Sequence, residues 1–316
     1  MATNRIVPTV PVLLTLFTGI ALSPIIGLSW RAPATLRLLV ADLRPERVLH
    51  YDAMVLLGVA LQVRATGILP EAQPLLAILG LLVALCYAAV FAIVSNNIED
   101  LAIDRISNAR RPLASGAIEL VRYRRLGRLA LVIALLLASL VGPVALAAVA
   151  AVTSVYTLYS CPPFRLKRVP VFAKLMIGAN SAILAAAGFV LSGGHWADFP
   201  LPWLLYLVFA VGLAANFIDL KDTAGDAADG VRTLPVLYGA RRARRWISLA
   251  TVLAHAGAAW LLHAWALLPL NVALLLWHLR ELWREPYVEA RVFHVYLLGQ
   301  AALIGALCLL SRYDLP

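Results

Sequence analysis

Apolar residues in this chain gather in long continuous runs instead of alternating with polar ones. Leu75 to Val94 is one such run and Leu201 to Phe217 another. Several windows exceed about 18 apolar-dominated residues, the length a helix needs to cross a bilayer. Continuous runs argue against a membrane barrel, whose strands alternate. The pattern predicts nine membrane helices at about 48–68, 75–98, 127–141, 143–160, 171–192, 201–218, 246–263, 265–280 and 292–311. An extra apolar segment precedes them, Val7 to Trp30, broken by Pro8, Pro11 and Pro24. Its single leading charge, Arg5, and the lack of a clean small-x-small site favour a span or re-entrant segment over a cleaved signal. Residues 31–47 place Arg31, Arg37, Arg44 and Arg47 between leucines, as in an amphipathic helix lying on the membrane surface. The expected fold class is all-α: a polytopic helical bundle, with residues 1–41 as an N-terminal segment and 42–316 as the main domain.

Composition agrees. Of the 316 residues 62% are hydrophobic, and the mean hydropathy is +0.85, well above the soluble range. A net charge of +10 suggests nucleic acid in a soluble protein. Here the basic residues sit in loops, so topology explains them and no nucleic-acid partner is expected. All of the 27 Lys/Arg except Arg5, Arg64 and Arg312 fall on one side of the span scheme. The positive-inside rule makes that side cytoplasmic. Cys86, Cys161 and Cys308 show no metal-ligand spacing, and the six histidines are scattered.

Candidate chemistry lies at the ends of two runs. Asn96, Asp100 and Asp104 follow Leu75–Val94 at i, i+4, i+8, one face of a helix. Asp219, Asp222 and Asp226 follow Leu201–Phe217 at i, i+3, i+7, again one face. Either cluster alone is plainly read as a solvated helix end with neighbouring arginines. Two of them on one side, in a chain with only 17 acidic residues, point instead to a site for Mg²⁺. That ion takes hard oxygen ligands and is commonly shared between carboxylates and substrate phosphates. A diphosphate needs cations as well, and Arg44, Arg105, Arg111, Lys167 and Lys221 are the candidates. The two motifs also hint at an internal duplication, since each ends an even-numbered span and leads into a basic loop.

At this point the chain resembles the UbiA superfamily of intramembrane prenyltransferases. The resemblance rests on N-x-x-x-D-x-x-x-D at Asn96 to Asp104, RPLASG at Arg111 to Gly116, YSCPPFRLKR at Tyr159 to Arg168, and DLKDTAGDAADGVRTLPVLYG at Asp219 to Gly239. It implies a bundle around a central cavity open to lipid, with the acidic motifs at its cytoplasmic end. It implies that Asn96, Asp100 and Asp104 bind one Mg²⁺, and Asp222 and Asp226 a second with Asp219 contributing. Lys167, and Arg44, would bind the diphosphate. Tyr156, Tyr159 and Ser160 would lie on the cation or acceptor side, a tyrosine ring facing the allylic cation. The implied reaction transfers a polyprenyl group from its diphosphate to an aromatic or other lipophilic acceptor. RPLASG resembles the hydroxybenzoate branch and the second motif the quinone, tetrapyrrole and glycerophosphate-lipid branches, so the acceptor stays open. Cyclisation of the same cation without an acceptor is an alternative. An ion transporter is disfavoured, because no span carries ionisable residues from side to side.

Overall fold

The computed structural model describes residues 10–169 and 172–313, and among these residues there is no β-strand. Arg5 lies outside the described residues. Helices α1 (Val10–Arg31) and α2 (Pro33–Asp42) lead into α3 (Pro45–Thr66), α4 (Ala72–Glu99) and the short α5 (Leu101–Ser107). Next come α6 (Leu120–Val141), α7 (Pro143–Ser160), α8 (Phe172–Leu191) and α9 (Leu201–Leu220). The chain ends with α10 (Thr223–Ala228), α11 (Leu234–Tyr238), α12 (Ala240–Leu262), α13 (Leu268–Trp283) and α14 (Glu289–Tyr313). Proline stands at or next to the first position of α2, α3, α7, α11 and α13, where its missing N–H costs no helical bond.

By length and composition, 7 of the described helices can cross a membrane: Pro11–Arg31 within α1, then α3, α4, α7, α8, α9 and the Glu289–Leu310 part of α14. They include the N-terminal segment and six of the nine expected spans. The expected spans 127–141, 246–263 and 265–280 fall in α6, α12 and α13 and do not meet that measure. The first two begin with arginine-rich turns, and α13 has 16 residues. Helix α1 keeps Val12, Leu14, Leu16, Leu22 and Ile26 on its outside, as a lipid-facing helix would. The surface helix expected over 31–47 corresponds to α2. Its Leu38 and Leu39 pack on Val94, Leu113, Ile118 and Tyr123.

Backbone contact sets the bundle's spacing. A Cβ on Gly58 of α3 would overlap the carbonyl oxygen of Ala185 on α8, and one on Gly188 of α8 would overlap that of Val55. Helices this close need small residues, the usual packing device where lipid offers no hydrophobic drive. Helix α9 is irregular, with a π-helical stretch at Tyr206–Val211 and 3₁₀ turns at Ala215–Leu220. Such departures concentrate at functional sites, and this one delivers Asp219.

Candidate active site

Both acidic motifs straddle a break in the helix. Asp100 lies between α4 and α5, and Asp222 between α9 and α10. The one-face spacing read from the sequence therefore spans two short helices in each case, and the chain bends over the bundle's end. The bends bring Asn96, Asp100, Asp104, Asp219, Asp222 and Asp226 to the wall of one cavity of about 180 Å³. Arg44, Arg111, Lys167, Tyr156 and Tyr159 line it too. Below the polar rim the wall is apolar, built from Leu85, Ala88, Ala89, Ala92, Ile93 and Val152 of α4 and α7.

Each carboxylate of the first motif meets a cation. Lys167 Nζ contacts Asp100 Oδ1. Arg111 Nη1 lies 2.5 Å from Asp104 Oδ2, and Asn108 donates to the same carboxylate at 3.1 Å. Burial raises the Asp104 carboxyl, with Arg111 opposing. Asn96 donates to Asp100 at 3.0 Å and accepts from Ser160 at 3.2 Å, so Ser160 orients a motif residue from α7. Burial, followed by Arg47 and Arg111 nearby, lowers the Arg44 guanidinium to about 10. Three crowded arginines favour a polyanion among them.

The second motif is less well compensated. Lys174 of α8 donates to Asp219 Oδ1 at 2.7 Å, and Asp219 Oδ2 is buried without a partner. Among the described residues neither Asp222 nor Asp226 forms an ion pair within 4.0 Å. Burial, then Asp219 and Asp222, lifts the Asp226 carboxyl to about 7. Accumulated negative charge with only hard oxygen donors is the environment a divalent cation such as Mg²⁺ relieves. Among the described residues no three His, Cys, Asp or Glu side chains form a ready-made metal cluster. The donors fit an ion that completes its shell with water and phosphate oxygens.

The segment between α7 and α8 ties the motifs together. Arg165 has left-handed backbone, φ 41°, ψ 51°, a conformation uncommon for a side-chain-bearing residue. Its Nη2 lies 3.4 Å from Asp100 Oδ1 and 3.4 Å from Asp229 Oδ2. Arg168 reaches the other Asp229 oxygen at 2.7 Å. Of the remaining expected cations, Arg105 is exposed and outside the cavity lining. Lys221 pairs with Glu289, which also holds Arg47 at 3.2 Å, and lines a neighbouring polar pocket. Sequence reasoning passed over Lys174, Arg165, Asp229 and Tyr51. For Lys174 the one signal was a charged residue opening an otherwise apolar run.

Comparison with known proteins identifies the family and the fold. The sequence model of the UbiA prenyltransferase family matches residues 53–303. The chain is 30% identical over 202 residues to a digeranylgeranylglyceryl phosphate synthase of Methanoculleus marisnigri, covering 63% of this chain and 67% of that one. It is 30% identical over 228 residues to a homogentisate phytyltransferase of Synechocystis, covering 66% and 73%. A UbiA homologue from Archaeoglobus fulgidus, solved with GPP and Mg²⁺, shares the fold at TM-score 0.65 and 20% identity, over 86% of this chain and 98% of that one. An apo homologue from Aeropyrum pernix gives TM-score 0.63 at 20% identity, over 85% and 98%.

Proposed function

The chain belongs to the UbiA prenyltransferase family and is an integral membrane prenyltransferase; from that premise we propose how its own residues carry out the transfer. The observation that carries the reading is the single cavity with acidic motifs and basic side chains at its rim and an apolar wall beneath. A prenyl diphosphate is a molecule of that shape and polarity. Its chain lies along Ala92, Ala88 and Leu85, and its diphosphate among Arg44, Arg111 and Lys167. Asn96, Asp100 and Asp104 would hold one Mg²⁺, and Asp219, Asp222 and Asp226 a second. When bound, the metal supplies neutralisation of the charge that grows on the departing diphosphate.

The protein's side chains do the rest. Arg44, Arg111 and Lys167 donate hydrogen bonds to the diphosphate oxygens, and these strengthen as the C–O bond breaks. Tyr51, Tyr156 and Tyr159 form an aromatic wall; Tyr51 and Tyr156 pack edge to face at 5.9 Å. Ring faces stabilise the allylic cation, and the apolar lining keeps water from capturing it. A lipophilic acceptor enters from the bilayer and attacks that cation; its nucleophilic atom bonds to the allylic carbon and its proton leaves to solvent or to the released diphosphate. The strong one-sided bias of Lys and Arg supports a site opening toward the cytoplasm.

The test is incubation of purified protein with Mg²⁺, prenyl diphosphates of graded chain length and a membrane lipid extract, read by mass spectrometry. Diphosphate release that requires Mg²⁺, with a prenylated lipid as product, is the expected result. A cyclic hydrocarbon or alcohol formed without extract would replace transfer by cyclisation. No Mg²⁺-dependent release with any chain length would overturn the reading.

A further inference from the structure

Behind the first acidic motif lies a buried polar cluster that does not line the cavity. Asn97 of α4, Asp42 at the end of α2 and Tyr123 in the first turn of α6 are 1%, 7% and 1% exposed. Asn97 Nδ2 donates to Asp42 Oδ2 at 2.9 Å and to the Tyr123 hydroxyl oxygen at 3.0 Å. The Tyr123 hydroxyl donates to the same Asp42 oxygen. On its other side Asn97 Oδ1 accepts from Arg44 Nη2 at 3.2 Å and from Arg111 Nη1 at 3.4 Å. The amide has one workable orientation: its donor edge faces a carboxylate and its acceptor edge faces two guanidiniums. A neutral amide is the side chain that can do both at once. Arg44 and Arg111, unlike the cluster behind them, do line the cavity.

Two like charges side by side would separate unless something held them. Asp104 holds Arg111 from one side; Asn97 is the acceptor that Arg111 shares with Arg44, and Asp42 with Tyr123 keeps that acceptor turned toward them. A buried carboxylate bonded only to neutral donors is costly to keep. Asp42 and Arg44 also stand before residue 53, where the family match begins. We propose that Asp42 is a positioning residue of the diphosphate site: through Asn97 it fixes the Arg44 and Arg111 guanidiniums as a preformed anion clamp, which makes helix α2 part of the active site. This rests on the prenyl diphosphate reading above.

The test uses the full-length protein and the variants Asp42→Ala, Asp42→Asn and Tyr123→Phe. Binding of inorganic pyrophosphate with Mg²⁺ is measured by titration calorimetry, alongside KM and kcat for a prenyl diphosphate. Asp42→Ala frees the amide, and affinity is expected to fall about tenfold, as for loss of a hydrogen bond to a charged group. KM rises, and because these hydrogen bonds strengthen as the C–O bond breaks, kcat/KM falls by at least the same factor. Asp42→Asn keeps an oxygen facing Asn97 and Tyr123 and is expected to restore affinity. Combined with Arg44→Gln, the Asp42→Ala loss should be less than additive, because the two act on one clamp. Wild-type pyrophosphate affinity in Asp42→Ala would overturn the proposal. So would a loss that Asp42→Asn does not recover, fully additive effects, or a lower melting temperature at unchanged affinity. Pyrophosphate binding judges the clamp even if no prenyl diphosphate is turned over, so failure of the clamp and failure of the proposed reaction are separable.

Discussion

Asp100 and Asp222, far apart in the chain, share one backbone conformation: φ −97°, ψ 8° for the first and φ −95°, ψ 8° for the second. Both values lie in the sparsely allowed bridge region that recurs at active sites. Each residue ends one helix, starts a short one, and turns its motif over the common cavity. The same kind of turn thus serves both motifs. It also makes these two aspartates the pivots of the site.

Replacing a pivot by alanine should remove one carboxylate from each proposed metal site. Asp100→Ala and Asp222→Ala are each expected to lower Mg²⁺-dependent diphosphate release by at least about a hundredfold, on the scale of lost transition-state electrostatics. Chelation with EDTA should do the same to the wild type, and added Mg²⁺ should reverse it. The assay is pyrophosphate release at saturating substrate. Full turnover in either variant would remove these residues from the site.

The Lys174–Asp219 pair tests burial. Their side chains are 7% and 11% exposed, so Lys174→Met leaves a buried carboxylate without its cation. A destabilisation of roughly 3–5 kcal/mol is expected. The double variant Lys174→Met, Asp219→Asn should recover most of that stability, since no unpaired charge remains. It should not recover activity if Asp219 is a metal ligand. Thermal melting in detergent, paired with the turnover assay, separates the two effects.

Asp226 gives a pH dependence with a defined sign. Its carboxyl titrates near 7 in the fold and near 4 in an unfolded chain. Between those values the folded state holds a proton that the unfolded state has lost. Through this group, stability of the metal-free protein should fall as pH rises from about 4 to about 7. Mg²⁺ binds the ionised form, so it should flatten this dependence, and its own affinity should rise with pH over the same window. Melting curves at pH 5 and pH 7.5, with and without Mg²⁺, check both statements. Asp226→Asn should reduce the difference between them.

Close helix contact makes Gly58 and Gly188 sensitive to size. Valine at either position meets a backbone carbonyl of the facing helix that has nowhere to go. Losses of about 1–3 kcal/mol or more are expected, as for overpacked cores. A methyl group added at Gly299 would meet open space, so Gly299→Ala should change melting far less. Comparable losses at all three positions would argue against the α3–α8 contact.

Much was legible from the chain itself, for a physical reason. Membrane insertion demands long apolar runs, and charge left at their ends in helical register is expensive, so both kinds of signal are local. The two aspartate motifs, Lys167, Arg111 and Arg44 could be marked as candidates this way, and six of the expected spans could be placed to within a few residues. What depended on contact between distant helices could not. Arg165 and Asp229 have meaning only because one guanidinium reaches both motifs, and Asp42 only because α2 folds back onto Asn97. Lys174 is a loop-side lysine until the packing of α8 on α9 sets it against Asp219. Periodicity also carried each motif along one continuous helix, because spacing does not record where a backbone turns at Asp100 or Asp222. Sequence determined which residues are too costly to leave without a task; tertiary structure decided which of them meet, since that depends on helix separations set by a few glycines and alanines.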